Sequence, residues 1–415
     1  MSMLKVSPEE LPARVRELPA ARPLMARLED HPGIADGAHL VGGAVRDLLL
    51  GDTPFDLDLV VVGDAAAFAR SLGGALRVHD RFGTSTVRLD GSTYDIVRAR
   101  RETYARPGAL PDVEPASLTD DLNRRDFTVN AIAIGLIGSA AGELSAAPTA
   151  LEDLEARQLR VLHDGSFIDD PTRLYRLVRY ASRLGFAIER HTRALAERAV
   201  AGGAPDTVSG PRLGAELRLL AREPDPVKAL GALRELGLDA ALHPDFGLRD
   251  EPLARRALGL APRATRVDRL ALAVAAQALP RAQLAALLDR LAFEAEDRDA
   301  ILATATRADE LARQLEQATA PSAIAAAAAG APPELVALAG ALGADGPARE
   351  WLERLRHVGL SIDGRDLIAA GVPEGPAIGR GLRAALAAKL DRRAGDREQE
   401  LAEALKAAGG ATAPQ

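Results

Sequence analysis

The chain has 415 residues, 47% of them hydrophobic and 27% charged, which is typical of a globular protein with about two to four domains. It contains no cysteine, so disulfides, thiolate zinc sites and a cysteine nucleophile are excluded. The net charge of −7 excludes a uniformly basic nucleic-acid-binding protein, so any RNA-binding surface must be local. Charges begin at Lys5, and no apolar stretch approaches the ~20 residues of a membrane span. We therefore expect a cytoplasmic protein with no membrane partner.

The first 150 residues carry a mixed pattern of helices and strands. Residues 1–30 have helical spacing and form a predicted leader. The dipeptide Asp90-Gly91, between two alternating runs, is a strong hairpin signal. The other predicted elements are a short strand from 39 that leads into a helix at 45–50, a strand at 55–62, a helix at 64–72, the hairpin strands at 84–89 and 93–99, and an apolar run at 127–136 that fits a strand or a helix. Residues 31–150 are therefore predicted to form an α/β head.

Strand signals vanish from about residue 151 onward. Helical spacing is clear at 170–184, 191–201, 210–222 and 227–236, and short helices with proline and glycine breaks are predicted beyond. We predict an α+β protein in which the α/β head is followed by an all-α neck (151–245) and an all-α body and tail (246–406). Residues 407–415 are expected to be frayed.

A pair of glycines stands before the first helix of the head, in the segment Leu40-Val-Gly-Gly-Ala-Val-Arg-Asp47. Gly42 and Gly43 would let the backbone approach a bulky group closely. Arg46 would add a fixed cation for a phosphate. A simple turn explains the glycine pair equally well, so this segment alone does not identify a site.

Two aspartates, Asp56 and Asp58, follow in the predicted strand 55–62. Alternation puts both carboxylates on one face, where they repel each other unless a cation neutralises them. Magnesium held by carboxylates and nucleotide phosphates would do so. Asp95, in the second hairpin strand, could supply a third carboxylate to a two-metal site. The alternative is an ordinary solvated strand face, with Asp95 as an edge-strand residue.

The combination of Gly-Gly-Ala-Val-Arg-Asp with Asp-Leu-Asp resembles the first motif of the class II tRNA nucleotidyltransferase and bacterial poly(A) polymerase family. Arg124-Arg-Asp-Phe-Thr-Val-Asn-Ala131 resembles a second motif of that family almost residue for residue. The resemblance covers residues 37 to 245. It implies a palm-like nucleotidyltransferase head in which Arg124, Arg125 and Asp126 read the ribose and Asn130 belongs to the same nucleotide-binding motif. Beyond residue 245 no specific resemblance is evident.

The segment between these motifs resembles the family's flexible loop, with an Arg-x-Glu-x-Tyr core at Arg100, Glu102 and Tyr104. In the family this loop is associated with addition of the terminal A. Its proline, glycine and mixed charges are typical of a mobile connector.

The predicted helix 170–184 carries a cationic face and an apolar face. Arg173, Arg176, Arg179 and Arg183 fall within about 120° on a helical wheel, and Asp170-Pro171 has the form of a helix start. A solvated arginine face is the simple reading. The segment also resembles the family's Glu-Asp-x-x-Arg motif, with Asp169 in place of the glutamate. That resemblance implies that Asp170 and Arg173 select C and A by hydrogen bonding. A nucleotide-facing helix, with Arg176 and Arg179 towards the nucleotide, is the alternative interpretation of the cationic face.

The stretch Ala146-Ala-Pro-Thr-Ala150 departs from the family, which has a glycine pair here that is linked to hinging between head and neck. The implied reaction is template-independent addition of CCA to the 3′ end of tRNA from CTP and ATP, with two Mg²⁺ ions and release of pyrophosphate. Partial enzymes that add only A or only CC, a poly(A) polymerase, and a non-catalytic RNA-binding protein remain alternatives. The tail is not basic, which argues against a poly(A) polymerase. The sequence does not predict the oligomeric state.

Overall fold

The computed structural model describes residues 4–30, 37–54, 56–79 and 84–409. The chain forms two compact units, the first comprising residues 1–216 and 235–241 and the second residues 217–234 and 242–415. The predictions for Phe55 and for 410–415, which make up most of the expected frayed end, lie outside the described residues. Within those residues, no helix is both long and apolar enough to cross a membrane.

The centre of the first unit is a mixed seven-stranded sheet with the order β3-β4-β5-β2-β1-β8-β9. Strands β2 and β5 run parallel, and the other neighbouring pairs of this sheet are antiparallel. Strands β6 and β7 form a separate hairpin, and β10 and β11 a short parallel pair. The strands are β1 (Ala38–Val41), β2 (Leu57–Val61), β3 (Ala75–His79), β4 (Thr84–Leu89), β5 (Ser92–Arg98), β6 (Arg100–Thr103), β7 (Asp112–Pro115), β8 (Ile132–Gly135), β9 (Leu144–Ala146), β10 (Gln158–Leu159) and β11 (Ala187–Ile188).

The two faces of the central strands differ in polarity. Residues alternate along a strand, so Tyr94 and Ile96 of β5 are buried while Asp95 between them is exposed. Asp95 lies opposite Asp58 of β2 on one side and opposite Thr86 of β4 on the other. The register therefore brings Asp58 and Asp95 to the same open face of the sheet.

Residues 4–30 pack on the head. The Tyr94 hydroxyl donates a hydrogen bond to the Ala20 carbonyl (2.5 Å), and the Lys5 amide donates to the Leu49 carbonyl (3.0 Å). A short 3₁₀ turn, Thr128–Asn130, precedes β8. The helices up to residue 242 are α1 (Leu11–Glu17), α2 (Arg22–Asp30), α3 (Gly43–Leu49), α4 (Ala65–Ser71), α5 (Leu118–Asn123), α6 (Ala150–Glu155), α7 (Ser166–Asp169), α8 (Thr172–Leu184), α9 (Arg190–Ala201), α10 (Gly210–Ala221), α11 (Pro226–Glu235) and α12 (Leu238–Leu242).

The remaining helices belong to the second unit. Near its end, α21 and α22 pack closely around a small apolar cluster that includes Leu367, Ala385 and Ala404. A π-helical turn, Gly340–Ala344, joins α18 to α19. The helices are α13 (Glu251–Leu260), α14 (Val267–Ala275), α15 (Arg281–Arg290), α16 (Ala295–Gln317), α17 (Pro321–Ala327), α18 (Pro333–Ala339), α19 (Asp345–Glu353), α20 (Gly364–Ala369), α21 (Pro376–Leu390) and α22 (Arg397–Ala408).

The predicted α+β class is confirmed, with a mixed-sheet head followed by helices. Several details differ from the sequence prediction. Strands β3 and β9 were not predicted, and Ala407 and Ala408, expected to be frayed, belong to α22. The two-residue strands β10 and β11 lie beyond residue 151, where no strand was predicted. Strands this short leave no periodic signal in the sequence. Helix α16 spans 23 residues where short helices were expected. The Arg-x-Glu-x-Tyr segment, expected to be a flexible loop, contains strand β6, in which Arg100 to Thr103 pair with β7.

Two glycines of α21 provide a test of the packing in the second unit. A Cβ atom at Gly381 would lie 2.7 Å from the Ala404 carbonyl oxygen, whereas one at Gly379 would meet only the mobile end of Arg383 at 3.4 Å. We expect Gly381→Ala to lower the free energy of unfolding by about 1–3 kcal/mol through overpacking. The matched change Gly379→Ala is expected to raise it by about 0.5–1 kcal/mol. Urea unfolding of the full chain, followed by circular dichroism, measures both, and equal effects would contradict the close helix contact.

Candidate active site

The glycine turn before α3 has a conformation and an environment that require glycine. Gly42 has a φ of +71°, a region that other residues rarely adopt. A Cβ atom at Gly42 would lie 2.9 Å from Nη1 of Arg125. The Gly42 amide donates to the Ile132 carbonyl (2.9 Å), which fixes the turn against β8. The glycine therefore lets Arg125 approach the backbone at the start of α3.

A cavity of about 310 Å³ opens beside this turn in the first unit. Charges of both signs line it in equal number, four arginines and four carboxylates. Most of the predicted site residues meet in this one cavity. Its lining residues are Gly42, Gly43, Asp58, Glu102, Tyr104, Arg124, Arg125, Asp126, Asn130, Asp170, Arg173, Arg176 and Tyr180.

Arg46 lies beneath the turn and is not among the residues that line the cavity. Its side chain is only 3% exposed. Nε donates to Asp47 Oδ1 (2.8 Å) and Nη1 donates to Asn130 Oδ1 (2.5 Å). Its guanidinium also lies 5.6 Å from the ring centre of Tyr180. The structure thus gives Arg46 a supporting position, where the sequence predicted a direct contact with phosphate.

Asp58 is the cavity-lining carboxylate that β2 contributes. Although solvent reaches it, the surrounding protein limits its hydration, and this burial raises its pKa. Asp95 and Asp56 raise the pKa further by repulsion, while Arg125 opposes them. Thr86 donates its hydroxyl to Asp95 Oδ1 (2.6 Å). A cation between these carboxylates would relieve the repulsion, so the donor set fits a hard divalent ion.

The protein alone does not complete such an ion site. In the described ranges, no group of three or more His, Cys, Asp or Glu side chains is arranged to hold a metal ion. Magnesium commonly takes one or two protein carboxylates and completes its shell with water and substrate phosphates. The carboxylates Asp56 and Asp58 fit that pattern, in which the nucleotide supplies the missing ligands.

Arg124 and Arg125 are held by a fully buried carboxylate, Asp121. Asp121 Oδ1 accepts hydrogen bonds from Arg124 Nε (2.9 Å) and Nη2 (2.7 Å), and Oδ2 accepts one from Arg125 Nη2 (3.0 Å). The Arg100 amide also donates to Oδ1 (3.3 Å). The sequence analysis did not assign Asp121. Its spacing of three and four residues from the two arginines on a helix was the available signal.

Asp126 uses both of its oxygens within the protein. Oδ1 accepts from the Phe127 amide (2.9 Å) and Asn130 Nδ2 (3.0 Å), and Oδ2 accepts from Arg176 Nε (2.9 Å) and Nη2 (2.6 Å). Burial tends to raise the pKa of Asp126, but Arg176 and Asn130 outweigh it and lower the pKa to about 2. Because four donors occupy the carboxylate, a ribose hydroxyl could bond to Asp126 only by displacing one of them.

The Arg-x-Glu-x-Tyr segment is folded onto the cavity as part of the β6–β7 hairpin. Glu102 Oε1 accepts from Arg100 Nη2 (2.8 Å) and Arg124 Nη1 (2.9 Å). Its Oε2 accepts from the Tyr104 hydroxyl (3.1 Å). Burial and the neighbouring Glu102 carboxylate raise the pKa of Tyr104 to about 12. Glu102 therefore connects this hairpin to the Arg-Arg-Asp segment.

Three arginines of α8, Arg173, Arg176 and Arg179, are turned towards protein and cavity, whereas Arg183 is exposed. Arg173 and Arg179 are largely buried. Arg173 Nη1 donates to Ser166 Oγ (2.7 Å), and its Nη2 donates to the Arg124 carbonyl (2.8 Å). Arg179 is not among the residues that line the cavity, and its Nε lies 3.8 Å from Glu216 Oε2. The structure thus brings Asp170, Arg173 and Arg176 into the cavity wall and leaves Arg179 behind it.

Two further residues that the sequence analysis did not assign help to build the wall. Tyr180 lines the cavity, packs edge-on against Phe127 and is surrounded by the guanidinium groups of Arg46, Arg176 and Arg179. Arg212 donates to Asp170 Oδ1 (2.8 Å). The partner of Arg212 lies 42 residues away in the sequence, so no helical spacing connects the two.

Comparison with known proteins gives consistent matches. Residues 38–160 match the family model of the poly A polymerase head domain. An A-adding tRNA nucleotidyltransferase of Geobacter sulfurreducens is 42% identical over 260 residues, which are 59% of this chain and 30% of that protein. A CC-adding tRNA nucleotidyltransferase of Deinococcus radiodurans is 46% identical over 208 residues, 49% of this chain and 54% of that protein. The matched region thus spans between about a third and about half of these relatives.

A solved structure of a CCA-adding enzyme without ligands matches almost the whole chain. The two share 31% sequence identity with a TM-score of 0.80, and the match covers 96% of this chain and 98% of that one. The resemblance that the motifs indicated is thereby confirmed. The chain belongs to the family of tRNA nucleotidyltransferases and poly(A) polymerases that includes the CCA-adding enzymes.

Proposed function

We propose that this protein adds CMP and AMP, from CTP and ATP, to the 3′ end of tRNA. The observation that carries the proposal is the single cavity, in which the carboxylate Asp58, the arginines of the head and the pair Asp170 and Arg173 all meet. A nucleotide in this cavity would have its phosphates and its base within reach of different parts of the wall. The similarity to A-adding, CC-adding and CCA-adding enzymes supports the same activity.

The charges of the cavity support a metal-dependent reaction. Its four arginines are already balanced by four carboxylates, so the wall has no excess of positive charge for a triphosphate. The nucleotide must therefore bring cations with it. Asp56 and Asp58 would hold two magnesium ions together with the phosphate oxygens, and Asp95 would add a third carboxylate. Bound there, magnesium would polarise the α-phosphate and favour ionisation of the attacking hydroxyl.

The chain's own residues would orient the reactants. In the reaction, the RNA 3′-hydroxyl oxygen forms a bond to the α-phosphorus, the bond to the β-phosphate oxygen breaks, and pyrophosphate leaves. The turn at Gly42 and Gly43 allows the phosphates to approach the backbone, and Arg125 stands beside it. Arg124 and Asp126, held by Asp121 and Arg176 respectively, form the adjacent wall at which we expect the ribose.

Base selection would follow from donors and acceptors at Asp170 and Arg173. A carboxylate accepts hydrogen bonds only. Cytosine and adenine present an amino group, whereas guanine and uracil present a carbonyl oxygen in the corresponding position. Facing Asp170, a carbonyl oxygen would leave two acceptors together, and such unpaired polar groups give strong discrimination.

A second candidate is an enzyme that adds only the terminal A. The match to the A-adding relative extends over 260 residues, compared with 208 for the CC-adding relative, and the Arg-x-Glu-x-Tyr hairpin is intact. The family model of the poly A polymerase head domain does not separate a poly(A) polymerase from the tRNA enzymes, and the tail that is not basic argues against it. A non-catalytic RNA-binding protein would have no need for the strained carboxylate pair at Asp58 and Asp95.

The specificity of addition is tested with three tRNA transcripts, ending before C74, after C75 and after A76, each with single nucleoside triphosphates. A complete enzyme is expected to add C to the first, A to the second and nothing to the third. Primer extension on sequencing gels measures each product. Addition of A to the second transcript without addition of C to the first would identify the A-adding enzyme instead.

The metal carboxylates are tested by replacing Asp56 and Asp58 individually with alanine. Each variant is expected to lose incorporation by at least about 10³-fold, because the reaction depends on the ions they hold, while binding of tRNA persists. Asp52→Ala, an exposed aspartate of the same region, serves as the control. Single-turnover incorporation and filter binding separate the two effects, and substantial turnover in either site variant would rule out this mechanism.

Binding of magnesium is tested independently of catalysis by the stability of Asp58→Asn. Burial and the neighbouring carboxylates disfavour the charged form of Asp58, so without magnesium the variant is expected to be more stable than the wild type. Added magnesium with CTP should then stabilise the wild type more than the variant. Urea unfolding in EDTA and in magnesium with CTP measures this. Equal stabilisation of both proteins would place the ion elsewhere.

A further inference from the structure

Arg212 of α10 connects the carboxylate Asp170 to the tip of the β6–β7 hairpin. Its Nη2 donates to Asp170 Oδ1 (2.8 Å), and its Nη1 donates to the Gly108 carbonyl (2.8 Å). The Arg212 side chain is 23% exposed, so solvent competes little with these bonds. Arg212 is not among the residues that line the nucleotide cavity. It therefore reaches the cavity only through Asp170.

The hydrogen bonds of Asp170 are concentrated on one oxygen. Oδ1 accepts from the Thr172 amide (3.0 Å), the Thr172 hydroxyl (2.7 Å) and Arg212 Nη2 (2.8 Å). A carboxylate oxygen offers two lone pairs, so these three donors saturate Oδ1. Oδ2 is then the oxygen of Asp170 with capacity for a ligand in the cavity.

The Gly108 contact fixes the guanidinium itself. Gly108 has a φ of +68°, and a Cβ atom there would lie 2.3 Å from Thr207 Oγ1. Its amide donates to the Asp169 carbonyl (3.3 Å). The backbone at Gly108 is thus seated against the neck, and its carbonyl holds Nη1 while Nη2 holds Asp170. Only a planar guanidinium can serve both acceptors in this fixed geometry.

We propose that Arg212 is a positioning residue for base selection, which holds Asp170 so that Oδ2 faces the amino group of the incoming base. The proposal rests on the proposed function of the cavity and adds a residue that acts without touching the nucleotide. The Thr172 donors hold Oδ1 from the helix start, and Arg212 adds a charged donor to the same oxygen from α10. Rotation of the carboxylate would break all three bonds, so the carbonyl of guanine or uracil meets a fixed acceptor.

The test measures kcat/KM for ATP relative to GTP and for CTP relative to UTP on matching tRNA ends. Arg212→Met is expected to lower both ratios at least about tenfold, since it removes a charged hydrogen bond that holds Asp170. Arg212→Lys, which has one donor nitrogen in place of two, should give ratios between those of Arg212→Met and the wild type. Thr172→Val, which removes one donor to the same oxygen, should lower the ratios less. Arg193→Met, an exposed arginine of α9, is the matched control and should keep them.

A double-variant experiment separates positioning from a general structural role. Since Arg212 acts through Asp170, adding Arg212→Met to Asp170→Asn should leave the already reduced ratios within about twofold. An equal further loss in that background, or unchanged ratios in Arg212→Met and Arg212→Lys that unfold like the wild type, would overturn the proposal. If Arg212→Met does not fold, Arg212→Lys and Thr172→Val decide it. Wild-type protein that incorporates nothing would instead refute the proposed function.

Discussion

The ion pair between Asp126 and Arg176 is the interaction on which the site depends. It joins the segment after α5 to α8 by two hydrogen bonds from one guanidinium to one oxygen. Because the pKa of Asp126 falls from 3.8 to about 2, the pair stabilises the folded protein above pH about 4. That contribution is lost as the pH falls towards 2. Helix α8 is thereby fixed beside the glycine turn, and Asp170 and Arg173 at its start are brought to the same cavity as Asp58.

Charge compensation within the cavity is nearly complete except at one place. Asp121, Glu102 and Asp126 each accept hydrogen bonds from arginines, which is how buried charges are normally accommodated. Asp58 differs, because its strongest charged neighbour is another carboxylate, Asp95, and Arg125 only partly compensates. Among the four carboxylates that line the cavity, Glu102, Asp126 and Asp170 each accept a hydrogen bond from an arginine. Asp58 is the one whose repulsion a bound cation would relieve, as the proposed function requires.

Local sequence signals predicted the elements whose cause is itself local. The hairpin of β4 and β5 follows from Asp90-Gly91, both of which adopt the positive φ that such a turn requires. The glycine turn was predicted for a similar reason. The two-residue strands and the burial of Arg46 were not predicted, because they depend on partners distant in sequence. Asn130, which holds Arg46, lies 84 residues from it, and no periodicity connects the two.

The same limit applies to the site. The sequence named candidate residues for it but did not separate those that line the cavity from those that lie behind it. Arg46 and Arg179 carry the same charge as Arg125 and Arg176, yet the first two are not among the residues that line the cavity. Tertiary partners distinguish these roles: Asn130 holds Arg46 beneath the turn, whereas Asp126 holds Arg176 at the cavity wall.

Thr149 adopts a backbone conformation that favours glycine, although the residue here is threonine. Thr149 stands in the stretch where the family has its glycine pair, and it adopts a φ of +62°, which is strained for a β-branched residue. Its hydroxyl donates to Asp153 Oδ2 (3.1 Å), an oxygen that also accepts from Thr128. The turn into α6 is therefore held by a side-chain hydrogen bond where glycine would adopt the same φ without strain. Breaking that hydrogen bond would accompany a change of φ at Thr149, whereas a glycine at this position could change φ without such a loss.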